Sequence, residues 1–168
     1  MPAASPDNPL RRVVQLFRSH GVEFIVIGGQ AEVIFGSPRL TYDVDLCYRR
    51  TSENLVRLAE ALSQLHVTLR GAPEGLPFRA DSRTLSMGCN FTFNSAVGKL
   101  DLLGYVEPIG EYDDLLRHAE TWEFAGSQVK TISLDDLIRV KEHIARDKDG
   151  ESLMQLRAIK QLRERQPQ

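Results

Sequence analysis

The chain has 168 residues, 42% of them hydrophobic and 26% charged, long enough for one domain with a real core and too apolar and evenly charged for disorder. Lys plus Arg number 21 against 23 Asp plus Glu, a formal net charge of -2, which excludes a chain that holds nucleic acid by bulk positive charge and any polybasic membrane anchor. The longest strongly apolar run, Phe24-Ile25-Val26-Ile27, falls far short of the ~20 residues of a membrane helix, and MPAASPDNPLRR at the start lacks the apolar stretch of a secretion signal. Cys47 and Cys89 make neither a CxxC pair nor a disulfide framework, so a cytoplasmic protein is expected.

Asn8 before Pro9 marks a helix start, and Leu10, Val13, Val14 and Phe17 follow the i, i+3, i+4, i+7 pattern until Gly21 closes the helix. Val22 to Ile27 is rich in β-branched residues and predicts a buried strand that ends at Gly28-Gly29. Gln30 to Phe35 fits one or two helical turns, broken by Gly36-Ser37-Pro38. Thr41 to Tyr48 reads as a second strand, with Val44 and Leu46 on one face and Asp43 and Asp45 on the other. A helix from about Ser52 to Leu65 presents Leu55, Leu58, Ala59 and Leu62 inward, and His66 to Arg70 reads as an edge strand before a loop to Asp81. Thr84–Met87, Asn90–Phe93 and Lys99–Leu103 predict three further strands, and Trp122–Ile132 a hairpin turning at Gly126-Ser127, with Trp122 packing on it. Ser133-Leu134-Asp135-Asp136 has capping-box spacing and opens an amphipathic helix with Leu134, Leu137, Ile138, Ile144 and Ala145 on its apolar stripe. A last helix carries Leu153, Leu156, Ile159 and Leu162. The expected class is α/β (α+β): one domain over 1–168, a mixed sheet with helices packed on it over about 1–130, and a C-terminal helical pair over 133–165.

Four features carry chemistry. Residues two apart on a strand share a face about 7 Å apart, so Asp43 and Asp45 converge, and two such carboxylates repel unless a cation lies between them. A hard ion such as Mg²⁺ is the natural occupant; solvated acids on a half-buried strand are the plainer reading, since Asp147-Lys148-Asp149 has the same spacing. Paired glycines at the end of a buried strand let backbone N–H groups approach an anion, although Gly28-Gly29 also suits a tight turn. Asp101 interrupts an apolar strand and needs a partner, either a metal shared with Asp43 and Asp45 or a cation such as Lys99 or a nearby arginine. Lys141 lies on the apolar stripe of its helix and either snorkels to the surface or meets an anion; Arg146 and Lys148 follow, concentrating positive charge suited to a triphosphate. The four histidines, His20, His66, His118 and His143, show no ligand spacing and receive no role.

Taken in order, Gly28-Gly29, Asp43-Val44-Asp45 and Lys99-Leu100-Asp101-Leu102 resemble the active-site signature of the DNA polymerase β-type nucleotidyltransferases. Arg39-x-Thr41-x-Asp43-x-Asp45 is similar to the variant in small bacterial members, and Leu134-Asp135-Asp136-Leu137-x-x-x-Lys141 with Arg146-Asp147-Lys148-Asp149 resembles later motifs of the AbiEii-type toxin nucleotidyltransferases. The resemblance implies that Asp43, Asp45 and Asp101 are catalytic and hold two Mg²⁺ (or Mn²⁺) ions. It implies a nucleotide-binding set of Gly28, Gly29, Arg39, Thr41, Lys141 and Arg146, and transfer of a nucleoside monophosphate from an NTP to a hydroxyl. The acceptor is an RNA 3′ end, a small molecule, or a partner protein such as a cognate toxin or antitoxin, with no role for a membrane. Gly29 stands where many members have Ser, and little chain follows Asp149. The contrasting expectation is a catalytically silent nucleotide- or partner-binding module on the same fold. From Arg139 to Arg165, eight Lys or Arg face five acids, which predicts a mildly basic helical pair beside an acidic site.

Overall fold

A computed structural model describes residues 8–144 and 150–166. Helix α1 (Pro9–Ser19) begins as the sequence predicts: the Asn8 side chain accepts from the Leu10 N–H at 2.9 Å, and Leu10, Val13, Val14 and Phe17 are fully buried. Strand β1 (Phe24–Ile27) is buried throughout, and helix α2 (Gly28–Ile34) starts on the two glycines themselves rather than after them. Strand β2 (Val44–Tyr48) is shorter than expected, so Asp43 stands one residue before it, at the end of the extended segment that follows Pro38.

Helix α3 (Ser52–Ser63) is capped by Thr51 and buries Leu55, Leu58, Ala61 and Leu62; β3 (Thr68–Leu69) is the expected edge strand. Thr84–Met87 is not a strand. It belongs to helix α4 (Ser82–Met87), because the Asp81 side chain accepts from the Thr84 N–H at 2.8 Å and so stabilises a first helical turn over which Leu85 becomes buried. Strands β4 (Asn90–Ser95) and β5 (Gly98–Leu103) follow, then a small ribbon of β6 (Tyr105–Val106) and β7 (Gly110–Glu111), and helix α5 (Tyr112–Leu116). The hairpin of β8 (Glu120–Phe124) and β9 (Ser127–Thr131) turns through Ala125 and Gly126, both at positive φ. Trp122 packs edge-on against Phe35, as a hairpin packing residue. Helix α6 (Leu134–Ile144) opens where Ser133 Oγ accepts from the Asp136 N–H, and α7 (Gly150–Arg165) closes the fold.

The seven main strands form one mixed sheet in the order β3-β4-β5-β2-β1-β9-β8. At its centre β1 pairs antiparallel with β2 and parallel with β9, and β2 pairs parallel with β5. Val26, Val44, Leu46, Leu100 and Leu102 share one face and are fully buried, at roughly 1.5–3 kcal/mol each, and Ile25 and Cys47 are fully buried on the other. Asp45 and Asp101 stand side by side on that second face, beside Ile27 at the end of β1. Helices α6 and α7 form the expected pair; Leu156 is fully buried, Leu153 and Ile159 partly so, but Leu162 and Ile144 are exposed. Among the described residues no helix is long and apolar enough to cross a membrane.

Candidate active site

The parallel pairing of β2 with β5 sets Asp45 directly opposite Asp101. Together with Asp43 just before β2, these carboxylates line one cavity of about 420 Å³. Gly28, Gly29, Arg39 and Lys141 line the same cavity, so four segments distant in sequence meet at the C-terminal end of β1. One wall is polar and charged. The other is apolar, built from Leu103 and Val106 together with Leu137, Val140 and Ile144 of α6. Thr41 packs against Gly29: a Cβ there would stand 3.1 Å from Thr41 Oγ1. Arg146 lies outside the described residues, as do Asp147, Lys148 and Asp149.

Gly28 has φ 65°, a conformation open to glycine, and a Cβ there would collide with Asp45 Oδ2. The glycine therefore lets the Asp45 carboxylate lean over the start of α2. No side chain caps that helix end, whose N-cap is the extended Ile27. Burial, then repulsion by Asp101 and Asp43, pushes Asp45 up to about pH 6 from an ordinary 3.8, against the pull of Arg70 and Lys141. Burial also raises Asp101, with Arg70 opposing it.

Two residues that sequence reasoning missed organise the cations. Glu32 on α2 is fully buried; Arg39 Nη1 lies 2.6 Å and Lys141 Nζ 3.4 Å from its Oε2. Lys141, only 7% exposed, thus lies inward as predicted and meets Glu32 there. A charged residue within the otherwise apolar Ala31-x-Val33-Ile34-Phe35 was the available signal for Glu32. The second is Arg70, whose Nη2 pairs with Asp101 Oδ1 and also donates to the Phe93 carbonyl at 3.1 Å. Of the partners open to Asp101, an arginine is the one present. Nothing local marks Arg70, since it reaches Asp101 only across β4. Gln30, also buried, donates to the carbonyls of Thr41 and Asp43 and so holds the segment that leads into β2.

Among the described residues, several cations of the C-terminal pair are taken up in ion pairs. Arg157 pairs with Glu142, Lys160 with Asp135, and Arg163 with Glu120 while lying over the Phe35 ring. These contacts fasten α7 to the body and do not face the cavity.

The donor set suits a divalent cation at the Asp43–Asp45 pair: two carboxylates line one cavity, and burial and the neighbouring carboxylates disfavour the charged form of Asp45. The three-carboxylate set is different. Among the described residues, no three His, Cys, Asp or Glu side chains are gathered so as to hold a metal ion.

No family model matches the chain, and no curated protein matches it. Solved structures do match in fold. A candidate nucleotidyltransferase of Thermotoga maritima aligns over 93% of this chain and 91% of its own, at 17% identity and a TM-score of 0.56. The lincosamide antibiotic adenylyltransferase LnuA, with lincomycin bound, aligns over 94% and 99%, at 12% identity and a TM-score of 0.62. ANT(2")-Ia, in complex with adenylyl-2"-tobramycin, aligns over 91% and 88%, at 15% identity and a TM-score of 0.56. The fold is that of the nucleotidyltransferases, with the carboxylates at the centre of its sheet.

Proposed function

We propose that this chain is a metal-dependent nucleotidyltransferase that moves a nucleoside monophosphate from an NTP to a hydroxyl acceptor. The observation that carries the reading is the convergence of Asp43, Asp45 and Asp101 with Gly28, Gly29, Arg39 and Lys141 in one cavity of a nucleotidyltransferase fold. The active unit is taken as one domain over 1–168, with the sheet as the catalytic core and the helical pair as its brace. Asp43 and Asp45 would hold Mg²⁺ or Mn²⁺, which when bound supplies Lewis acidity toward the phosphate oxygens. The Gly28 and Gly29 backbone approaches the triphosphate closely because no Cβ intervenes. Lys141 and Arg39 offset phosphate charge, and Glu32 sets where they stand. Thr41 buttresses Gly29, and Arg146 belongs to the same set by resemblance. Attack of the acceptor oxygen on the α-phosphorus breaks the bond to the β-phosphate bridging oxygen and releases pyrophosphate. The hydroxyl proton passes to the Asp101 carboxylate, whose Oδ1 is held by Arg70. Burial raises the basicity of that carboxylate.

A small-molecule hydroxyl leads among acceptors, because two enzymes of like fold carry antibiotics or adenylylated antibiotics and the apolar wall of the cavity suits such a molecule. Resemblance to AbiEii-type proteins adds RNA 3′ ends and a cognate toxin or antitoxin to the acceptors assayed. The test is transfer of label from α-³²P-labelled NTPs, with Mg²⁺ or Mn²⁺, into a cell extract and a panel of hydroxylated antibiotics. Asp43→Asn and Asp45→Asn are each expected to lower transfer at least ~10³-fold with the fold retained by circular dichroism. Nucleotide binding with no transfer to any acceptor class establishes the silent-module alternative instead.

A further inference from the structure

Arg70 follows the edge strand β3 and reaches across β4 to hold Asp101 on β5. The contact is braced on several sides. Its Nη2 also donates to the Phe93 carbonyl at 3.1 Å, its backbone N–H donates to the Thr92 carbonyl at 2.9 Å, and its side chain is 28% exposed. A guanidinium keeps its charge at every pH the fold survives, so Asp101 faces a permanent cation. In the two-ion arrangement the resemblance implies, Asp101 joins Asp43 and Asp45 in ligating a metal. Here that carboxylate already carries a positive charge supplied by the chain. A divalent ion at the same carboxylate must displace the guanidinium or lie beside it against like-charge repulsion.

We propose that Arg70 stands in for the second metal ion, so that this chain takes one divalent cation, on Asp43 and Asp45, and uses the guanidinium as the fixed positive charge at Asp101. The proposal rests on the nucleotidyl-transfer reading of the site but is read by counting ions. The full chain, saturated with α,β-methylene-ATP, is titrated with Mn²⁺, and bound ions are counted by electron paramagnetic resonance and by calorimetry. Wild type is expected to bind one Mn²⁺ per chain. Arg70→Gln is expected to bind two, and the added ion is lost again in the Arg70→Gln/Asp101→Asn double variant. Two ions on the wild type, or one on a folded Arg70→Gln, overturns the proposal. Should Arg70→Gln fail to fold, Asp101→Asn alone decides: Mn²⁺ affinity within about 3-fold of wild type supports a carboxylate that ligates no ion, and a loss of 10-fold or more overturns it. No Mn²⁺ bound at all overturns this proposal together with the site reading, whereas one ion bound without any nucleotidyl transfer overturns the functional reading alone.

Discussion

Asp45 is the residue on which the character of the site turns. It is half-buried, faces two other carboxylates, and holds its proton to about pH 6 where an unfolded aspartate releases it near 3.8. Between those values the folded chain binds more protons than the unfolded one, so stability falls as pH rises through the window and is level above it. At ~1.4 kcal/mol per pH unit the loss is at most about 3 kcal/mol, less whatever solvent screens at a half-exposed group. Thermal melts of the metal-free protein between pH 4 and 8 are expected to show this decline, and Asp45→Asn to flatten it. Mg²⁺ is expected to raise the melting temperature at pH 8 and not at pH 4.5, because it relieves repulsion only where the carboxylates are ionised. A decline that Asp45→Asn leaves intact would assign the effect to another group.

At the level of elements, the cavity is held together by ties between α2, the segment before β2, and α6. Glu32 makes two of these ties from a fully buried position, one to Arg39 and one to Lys141. Its Oε1 is buried with no hydrogen-bond partner, so the carboxylate is retained at a desolvation cost that a purely structural core position would avoid. Removing one member of such a cluster leaves uncompensated buried charge, at about 3–5 kcal/mol. Glu32→Ala is therefore expected to lower stability by that order in chemical denaturation. Glu32→Gln, which keeps the shape and an acceptor for Arg39, is expected to lose less and to raise the KM for NTP more than it lowers kcat. Equal effects on KM and kcat would give Glu32 a role at the reacting atoms.

Across the molecule, charge that is clustered in sequence is tied into ion pairs where α7 meets the body. Arg157, Lys160 and Arg163 of α7 meet Glu142, Asp135 and Glu120, Arg163 lies over the Phe35 ring, and Leu156 is fully buried. Ser37 Oγ and Gln155 add a hydrogen bond at 3.0 Å to the segment that leads toward Arg39. The helix acts on the site by bracing that segment. Truncation before Gly150 is expected to lower the melting temperature by several degrees and expose Phe35 to a hydrophobic dye, while adding 0.3 M salt to the intact chain changes little, since exposed pairs are worth ~0–1 kcal/mol each.

Periodicity and capping along the chain determined most elements: the α1 stripe with Asn8 and Pro9, the buried run of β1, the Ser133 cap of α6, and the alternation that turns Asp45 away from the core. The same local rules identified the Asp43–Asp45 pair and the inward lysine at 141, because a shared face follows from spacing alone. Thr84–Met87 escaped them since a short apolar run suits helix and strand alike, and the Asp81 cap arbitrates only once Leu85 has a core to enter. Tertiary structure alone decided the rest. The Asp45–Asp101 juxtaposition comes from the parallel register of two strands more than fifty residues apart, and Arg70 and Glu32 act through partners on other elements. Interactions of that kind depend on sheet order and helix docking, quantities that no spacing within a single segment encodes.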